Sequence, residues 1–272
     1  MTSRLQSSLI PKFLALSIGG FLLLPMLLVV VMSFGEGTSL RFPPRAFTID
    51  SYIVYFTSAG WMVPTLNSFI IAGASAAITL LVTTPAAFAF ALFDFPGKRL
   101  VRLLIMMPLM VPFIVMALAY FFFFGQLRLL NTMVGVVIAH ACLAVPIVFL
   151  IQSANLKSFD WTLVRASQAC GAGHFPTFRY ICLPLLRPSF LVAGLFAFIT
   201  SFDETVIALF ISGRAASTLP RRMFESVRQE SDPVVAVVST LLFAVVAAVA
   251  IVIAWRREAG RSRSATRDLE RE

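Results

Sequence analysis

The chain has 272 residues, of which 59% are hydrophobic and only 13% charged, with a mean hydropathy of +0.90. Soluble domains carry about 25% charged residues, so a water-soluble globule is excluded and an all-α polytopic membrane bundle is expected. The net charge of +9 does not point to nucleic acid, because the basic residues flank apolar runs instead of gathering on one soluble face.

A bilayer core needs about 20 apolar residues as helix. In chain order, six stretches meet that length: 13–34, 65–93, 101–124, 132–152, 188–211 and 233–255. The first follows Arg4 and Lys12 but is too long for a signal-peptide core, and no small-residue cleavage site follows it, so it reads as a retained span. Residues 1–12 are then a cytoplasmic segment, 13–255 a six-span domain, and 256–272 a polar, disordered cytoplasmic tail. Pro25, Pro85, Pro108, Pro112 and Pro146 lie within spans and are expected to kink them.

Lys and Arg set the orientation. With the N-terminus inside, the cytoplasmic segments hold fifteen basic residues, among them Lys98, Arg99, Arg102, Lys157, Arg165, Arg179, Arg187 and six arginines from Arg256 to Arg271. The opposite side holds seven: Arg41, Arg45, Arg128, Arg214, Arg221, Arg222 and Arg228. Both termini are therefore expected on the cytoplasmic side of the membrane, where the tail's arginines would meet anionic lipid heads.

The connection at about 153–187 is the most structured of the predicted loops. Asp160 is placed to cap a short helix from Trp161 to Cys170, with Leu163, Ala166 and Cys170 on one face. Gly171 is placed to end it in a left-handed conformation, and Gly173 keeps the turn open. Phe175, Phe178 and Cys182 mark a second short helix that leads to Leu183 and Pro184, and Pro188 opens the next span. The segment Arg165-Ala166-Ser167, Gly171-Ala172, Phe178, Ile181, Leu183-Pro184 resembles the loop that membrane subunits of ATP-binding-cassette importers present to their ATPase partners. The family pattern is Glu-Ala-Ala, three residues, Gly-Ala, five residues, Phe, two residues, Ile, one residue, Leu-Pro. Arg165 and Ser167 depart from it, leaving open whether the partner's groove is adapted to the reversed charge or the position tolerates change.

Asp203 and Glu204 fall inside the fifth stretch. A carboxylate at mid-membrane costs about 2.5–3.5 kcal/mol on insertion scales. Helical spacing places Thr200, Asp203, Glu204 and Ile207 on one face, which should meet a polar interior. Two readings stand: a translocation-path role for Thr200, Asp203 and Glu204, or pairing with Arg128 or Arg214 and buried hydrogen bonds that fix the bundle. Residues 201–210, with Thr218-Leu219-Pro220 and Met223-Phe224, resemble the corresponding region of spermidine and putrescine importer permeases. Thr218 is placed to cap a helix with Pro220 in its first turn, and Trp61, Tyr52 and Pro43-Pro44 lie in a first outer loop. By the same resemblance the helix after Thr218 lies near the docking surface for a solute-binding protein, and the first outer loop is a second candidate.

No phosphate-binding Gly-rich loop ending in Gly-Lys-Ser/Thr is present, so no cofactor is expected on this chain and ATP would be bound by partner subunits. Cys142, Cys170 and Cys182 show no disulfide or metal spacing, and neither His140 nor His174 has a ligand cluster near it in sequence. The resemblance implies a non-enzymatic permease subunit working by alternating access. Its partners would be a second permease subunit, two ATP-binding subunits and an extracytoplasmic solute-binding protein. Polyamine is the favoured solute; ferric ion, thiosulfate, phosphonate or an opine are alternatives, and a channel or secondary transporter is the competing class.

Overall fold

The computed structural model describes residues 2–37, 42–229 and 232–269. Arg41 and Arg271, which enter the charge count for orientation, lie outside them. The described residues are almost entirely helical, with one isolated antiparallel bridge between Gly35 and Phe47 and no strand ladder. The chain divides into two units, residues 1–59 with 225–272, and residues 60–224.

In the first unit α1 (Thr2–Ser33) and α12 (Val234–Leu269) pack together with the short α2 (Asp50–Thr57). Ser33 at the end of α1 is fully buried and its Oγ lies 2.8 Å from the Tyr52 hydroxyl. Tyr52 is thus tied into this unit. The apolar run of α1 has none of its residues buried, and Phe13, Leu16 and Phe21 are over 70% exposed, as expected where lipid is the solvent. α12 continues as helix past Trp255 to Leu269, so the segment expected to be a disordered tail is helical.

The second unit carries the rest. α3 (Ala59–Leu92) and α6 (Met133–Lys157) each span in one piece despite Pro64, Pro85 and Pro146. A seam of small hydroxyls joins them: Ser75 Oγ donates to the Val137 carbonyl at 3.0 Å, Thr79 Oγ1 to Ala141 at 3.2 Å, and Gln152 Nε2 to Thr84 Oγ1 at 2.9 Å. α9 (Leu183–Phe202) packs on α6 through Ala144, Ala193 and Ala197, none exposed at all. Alanine lets helix backbones approach closely where no hydrophobic force drives association.

Two expected spans are broken. In place of a straight helix over 101–124, α4 (Lys98–Met106) runs into a 3₁₀ turn at Met107–Leu109, and α5 (Phe113–Gln126) then departs at 101°. Pro108 sits in the turn and Pro112 is the N-cap of α5 at ψ 136°, so here proline ends a helix where elsewhere it is absorbed. Among the described residues five helices are long and apolar enough to cross a membrane, six if this bent pair counts as one. The fifth span begins earlier than Pro188: α8 (His174–Thr177) runs through a wide π turn, Phe178–Cys182, straight into α9. It ends at Phe202, and α10 (Val206–Ile211) follows after a three-residue break. α11 (Leu219–Gln229) matches the helix expected after Thr218, but the Thr218 hydroxyl has no hydrogen-bond partner among the described residues and does not cap it. Trp61 is 2% exposed beneath the Arg222 guanidinium at 5.1 Å, so it is packed inside and is not an open docking contact.

Candidate functional site

The sequence singles out two groups of residues, and α9 separates them. The first is the loop before it. α7 (Thr162–Ala169) forms where expected. Asp160 Oδ1 accepts from the Thr162 amide at 2.9 Å, one residue outside the assigned N-cap Trp161. That bond, from an N–H that stabilises the ionised form, holds the fully exposed Asp160 carboxyl below the usual carboxylate range.

Gly171 ends the helix at φ +85°, as its placement required. The Gly171 amide donates to Gln168 at 2.9 Å and the Ala172 amide to Ser167 at 3.1 Å, the paired closure of a Schellman motif. Ser167, one of the two departures from the family pattern, has a local job: its Oγ lies 3.0 Å from Thr177 Oγ1, which itself donates to the Gly173 carbonyl at 2.9 Å. Gln168 Nε2 approaches His174 Nδ1 at 3.2 Å. These two bridges clamp α7 to α8. An alanine at 167 could make neither half of the first.

Aromatic rings fasten the clamp to the end of α3. Phe88 meets Trp161 at 6.2 Å and Phe178 at 5.5 Å, both edge-to-face, and Trp161 also meets Phe159 at 5.1 Å. Cys182 is buried beneath them with Leu186, Phe90 and Phe149. Leu183 is half-buried and Pro184, at the start of α9, is exposed. The opposite surface stays open. Leu163, Ala166 and Cys170 are exposed on one face of α7, and Phe175 and Tyr180 are each 76% exposed. Arg165 is also exposed; it donates to Thr162 Oγ1 at 3.2 Å and forms no ion pair among the described residues. A cavity of about 540 Å³ opens between the knob and α3, lined by Phe88, Trp161, Arg165, Gln168, His174 and Phe178 among others.

The second group is the break after α9, where the expected helical face does not exist. Thr200 is half-buried on the last turn of α9, and the helix stops before Asp203 and Glu204, which part company. Asp203 is exposed. Glu204 is 7% exposed and turns inward, where Oε1 accepts from the Ile207 amide at 2.8 Å and Oε2 from the Ala208 amide at 3.0 Å. It therefore caps α10, satisfying two of the orphan donors that a helix start leaves inside a membrane protein. Neither Arg128 nor Arg214 pairs with it. Its neighbour is His140 of α6, completely buried, with Nε2 at 3.5 Å from Glu204 Oε2 and Nδ1 at 2.9 Å from Ser201 Oγ. His140 and Ser201 carry no site signal in the sequence, because 61 positions separate them and only the packing of α6 on α9 joins them. Among the described residues no cluster of His, Cys, Asp and Glu could hold a metal ion.

Comparison with known proteins agrees with this architecture. The chain is 29% identical to the putrescine transport system permease protein PotI of Escherichia coli (strain K12) over 265 residues, covering 92% of this chain and 91% of that one. It is 27% identical to the spermidine/putrescine transport system permease protein PotC of the same organism over 228 residues, with 83% and 85% covered. Among solved structures it superposes with TM-score 0.72, at 14% identity, on a chain of a bacterial ABC transporter involved in the import of the acidic polysaccharide alginate, covering 95% of this chain and 98% of that one, which confirms the polytopic helical fold. The model of the binding-protein-dependent transport system inner membrane component family matches residues 83–257, which include α4 to α11, the clamped knob and the capped break. The chain belongs to that family and is a multi-pass inner-membrane component of a transport system with other subunits.

Proposed function

We propose that this chain is the permease subunit of an ATP-driven importer of polyamines, lining half of the translocation path and taking its drive from ATPase subunits. The observation that carries the coupling role is the knob of α7 and α8: a glycine-closed, cross-braced element with an exposed small-residue and aromatic face, continuous through the π turn with membrane helix α9. In this reading Arg165, Ala166, Ser167, Gly171, Ala172, Gly173, Phe178, Leu183 and Pro184 form the docking element, on the cytoplasmic side with both termini. ATP is held by the partner chains. A second permease subunit, two ATP-binding subunits and an extracytoplasmic solute-binding protein complete the assembly.

The solute class follows from the relatives' names and from Asp203. Its carboxylate is exposed at the helix break, while Glu204 is committed to capping. A carboxylate free to meet solute favours a multivalent cation, and its attraction strengthens where water is sparse. Thr200, half-buried on the last turn of α9, offers a hydroxyl beside the break. The test is reconstitution of the complete complex in liposomes with labelled putrescine and spermidine beside an anionic control such as thiosulfate. ATP-dependent uptake of the amines alone supports the reading. Uptake of the anion, or amine uptake that needs no ATPase subunit, refutes it.

A further inference from the structure

The segment after α3 departs furthest from a simple span. The axis running from α4 through Leu109 lies at 101° to α5, so with α5 directed along the bilayer normal α4 lies along its surface. The side chains divide accordingly. Leu100, Leu103 and Leu104 of α4, with Met107 just after it, recur at helical spacing on one side and are 47–61% exposed. Lys98, Arg99 and Arg102 occupy the other side. This is the pattern of a helix that floats in the interface with its apolar stripe down.

The charges are unequal in availability. Lys98 Nζ is 2.9 Å from Asp94 Oδ1, and this contact holds the Asp94 carboxyl below its ordinary range, so the two cancel. The Arg102 guanidinium is steadied 5.6 Å above the Phe90 ring. Arg99 is exposed and forms no ion pair among the described residues. Together with Gly97 they border an open cavity of about 490 Å³ that carries two uncompensated cations.

We propose that α4 is an interfacial helix that retains an anionic phospholipid, with the phosphate at Arg99 and Arg102 and the acyl chains beside Leu100, Leu103 and Leu104. The two arginines are opposite in sign to the lipid's phosphate, and the exposed leucine stripe beneath them separates a lipid from a free anion, which has no use for it. The inference rests on the membrane placement of the family and is independent of the solute and of coupling.

Each cation near an anionic surface contributes about fivefold to binding, so the pair gives about 25-fold. The test uses the full-length chain in mixed micelles of equimolar phosphatidylglycerol and phosphatidylcholine, with retained lipid counted by native mass spectrometry. Wild type should retain phosphatidylglycerol over phosphatidylcholine by about that factor, and less as salt is raised. Arg99→Gln with Arg102→Gln should bring the ratio near parity, while Arg45→Gln, far along the sequence and also exposed, should leave it unchanged. No preference in wild type, a preference indifferent to salt, or equal preference in the double variant overturns the proposal. Loss of the preference when inorganic phosphate replaces chloride at constant ionic strength would show a free-anion site and overturn it also. The wild-type salt series keeps the proposal open to refutation even where the double variant does not fold.

Discussion

Replacing Glu204 by glutamine keeps the shape of the side chain and changes what its two terminal atoms can accept. In the native break both oxygens receive backbone amides, from Ile207 at 2.8 Å and Ala208 at 3.0 Å. A glutamine offers one oxygen, and its NH₂ would face the second amide donor to donor. One hydrogen bond to a charged group is lost, worth about 1.5–3 kcal/mol, and one buried N–H is left unsatisfied. Part of this is returned because a neutral amide costs less to bury than a carboxylate. A net loss of about 2 kcal/mol is expected, or about 4–8 °C in melting temperature for a chain of this size. Asp203→Asn, by contrast, touches an exposed group and should melt with the wild type. The assay is thermal unfolding of the detergent-solubilised complex, followed by a fluorescence or size-exclusion readout, with vesicle uptake measured alongside. Glu204→Gln should melt early, whereas Asp203→Asn should assemble normally and lose uptake of cationic solute. Equal melting of Glu204→Gln and wild type would refute the capping argument. Early melting of Asp203→Asn would refute the division of labour between the two carboxylates.

Gly171→Asn should be near neutral for uptake, because Asn tolerates the left-handed conformation, while Gly171→Val should cost about 1–2 kcal/mol of local stability and uncouple ATPase activity from transport; beyond the chain neighbours nothing lies within 4 Å of an added Cβ, so the β-carbon's cost comes from the backbone conformation. Gly213→Ala should lower thermal stability by about 1–3 kcal/mol, since its Cβ would come 2.7 Å from Asn131 Cβ, where Asn131 also donates its amide to Ile211. Ser167→Ala should loosen the clamp by about 1 kcal/mol, read as faster proteolysis or hydrogen exchange across 162–177, even though it restores the residue type of the family pattern. In a chain freed of its three cysteines, Ser158→Cys should label only from the cytoplasm and Arg214→Cys only from outside; the reverse would overturn the orientation.

Most of the spans were legible because hydropathy over about 20 residues is a local property that lipid rewards directly. The αL closure at Gly171 was legible for a similar reason, since few residues other than glycine and asparagine meet that backbone at little cost. The two breaks were not. Pro108 and Pro112 end a helix while Pro25, Pro85 and Pro146 do not, and that difference depends on neighbouring packing that no single window contains. The apolar run across 188–211 hid the second break, because helical-face arithmetic assumes a continuous helix. Glu204 looked like a lining residue for the same reason. Once the helix stops at Phe202, the carboxylate's nearest unsatisfied donors belong to its own chain three and four residues on.

The π turn at Phe178–Cys182 joins loop and membrane into one member, His174 to Phe202, of 29 residues. At 1.5 Å per residue it is about 43 Å long. Pivoted near its clamped base, such a rod swings its far tip by about 4 Å for a tilt of about 5°. That tip is where Asp203 and the cap of α10 sit. A push on the knob too small to break the Ser167–Thr177 bridge would therefore arrive at the helix break as a displacement wider than a hydrogen bond is long.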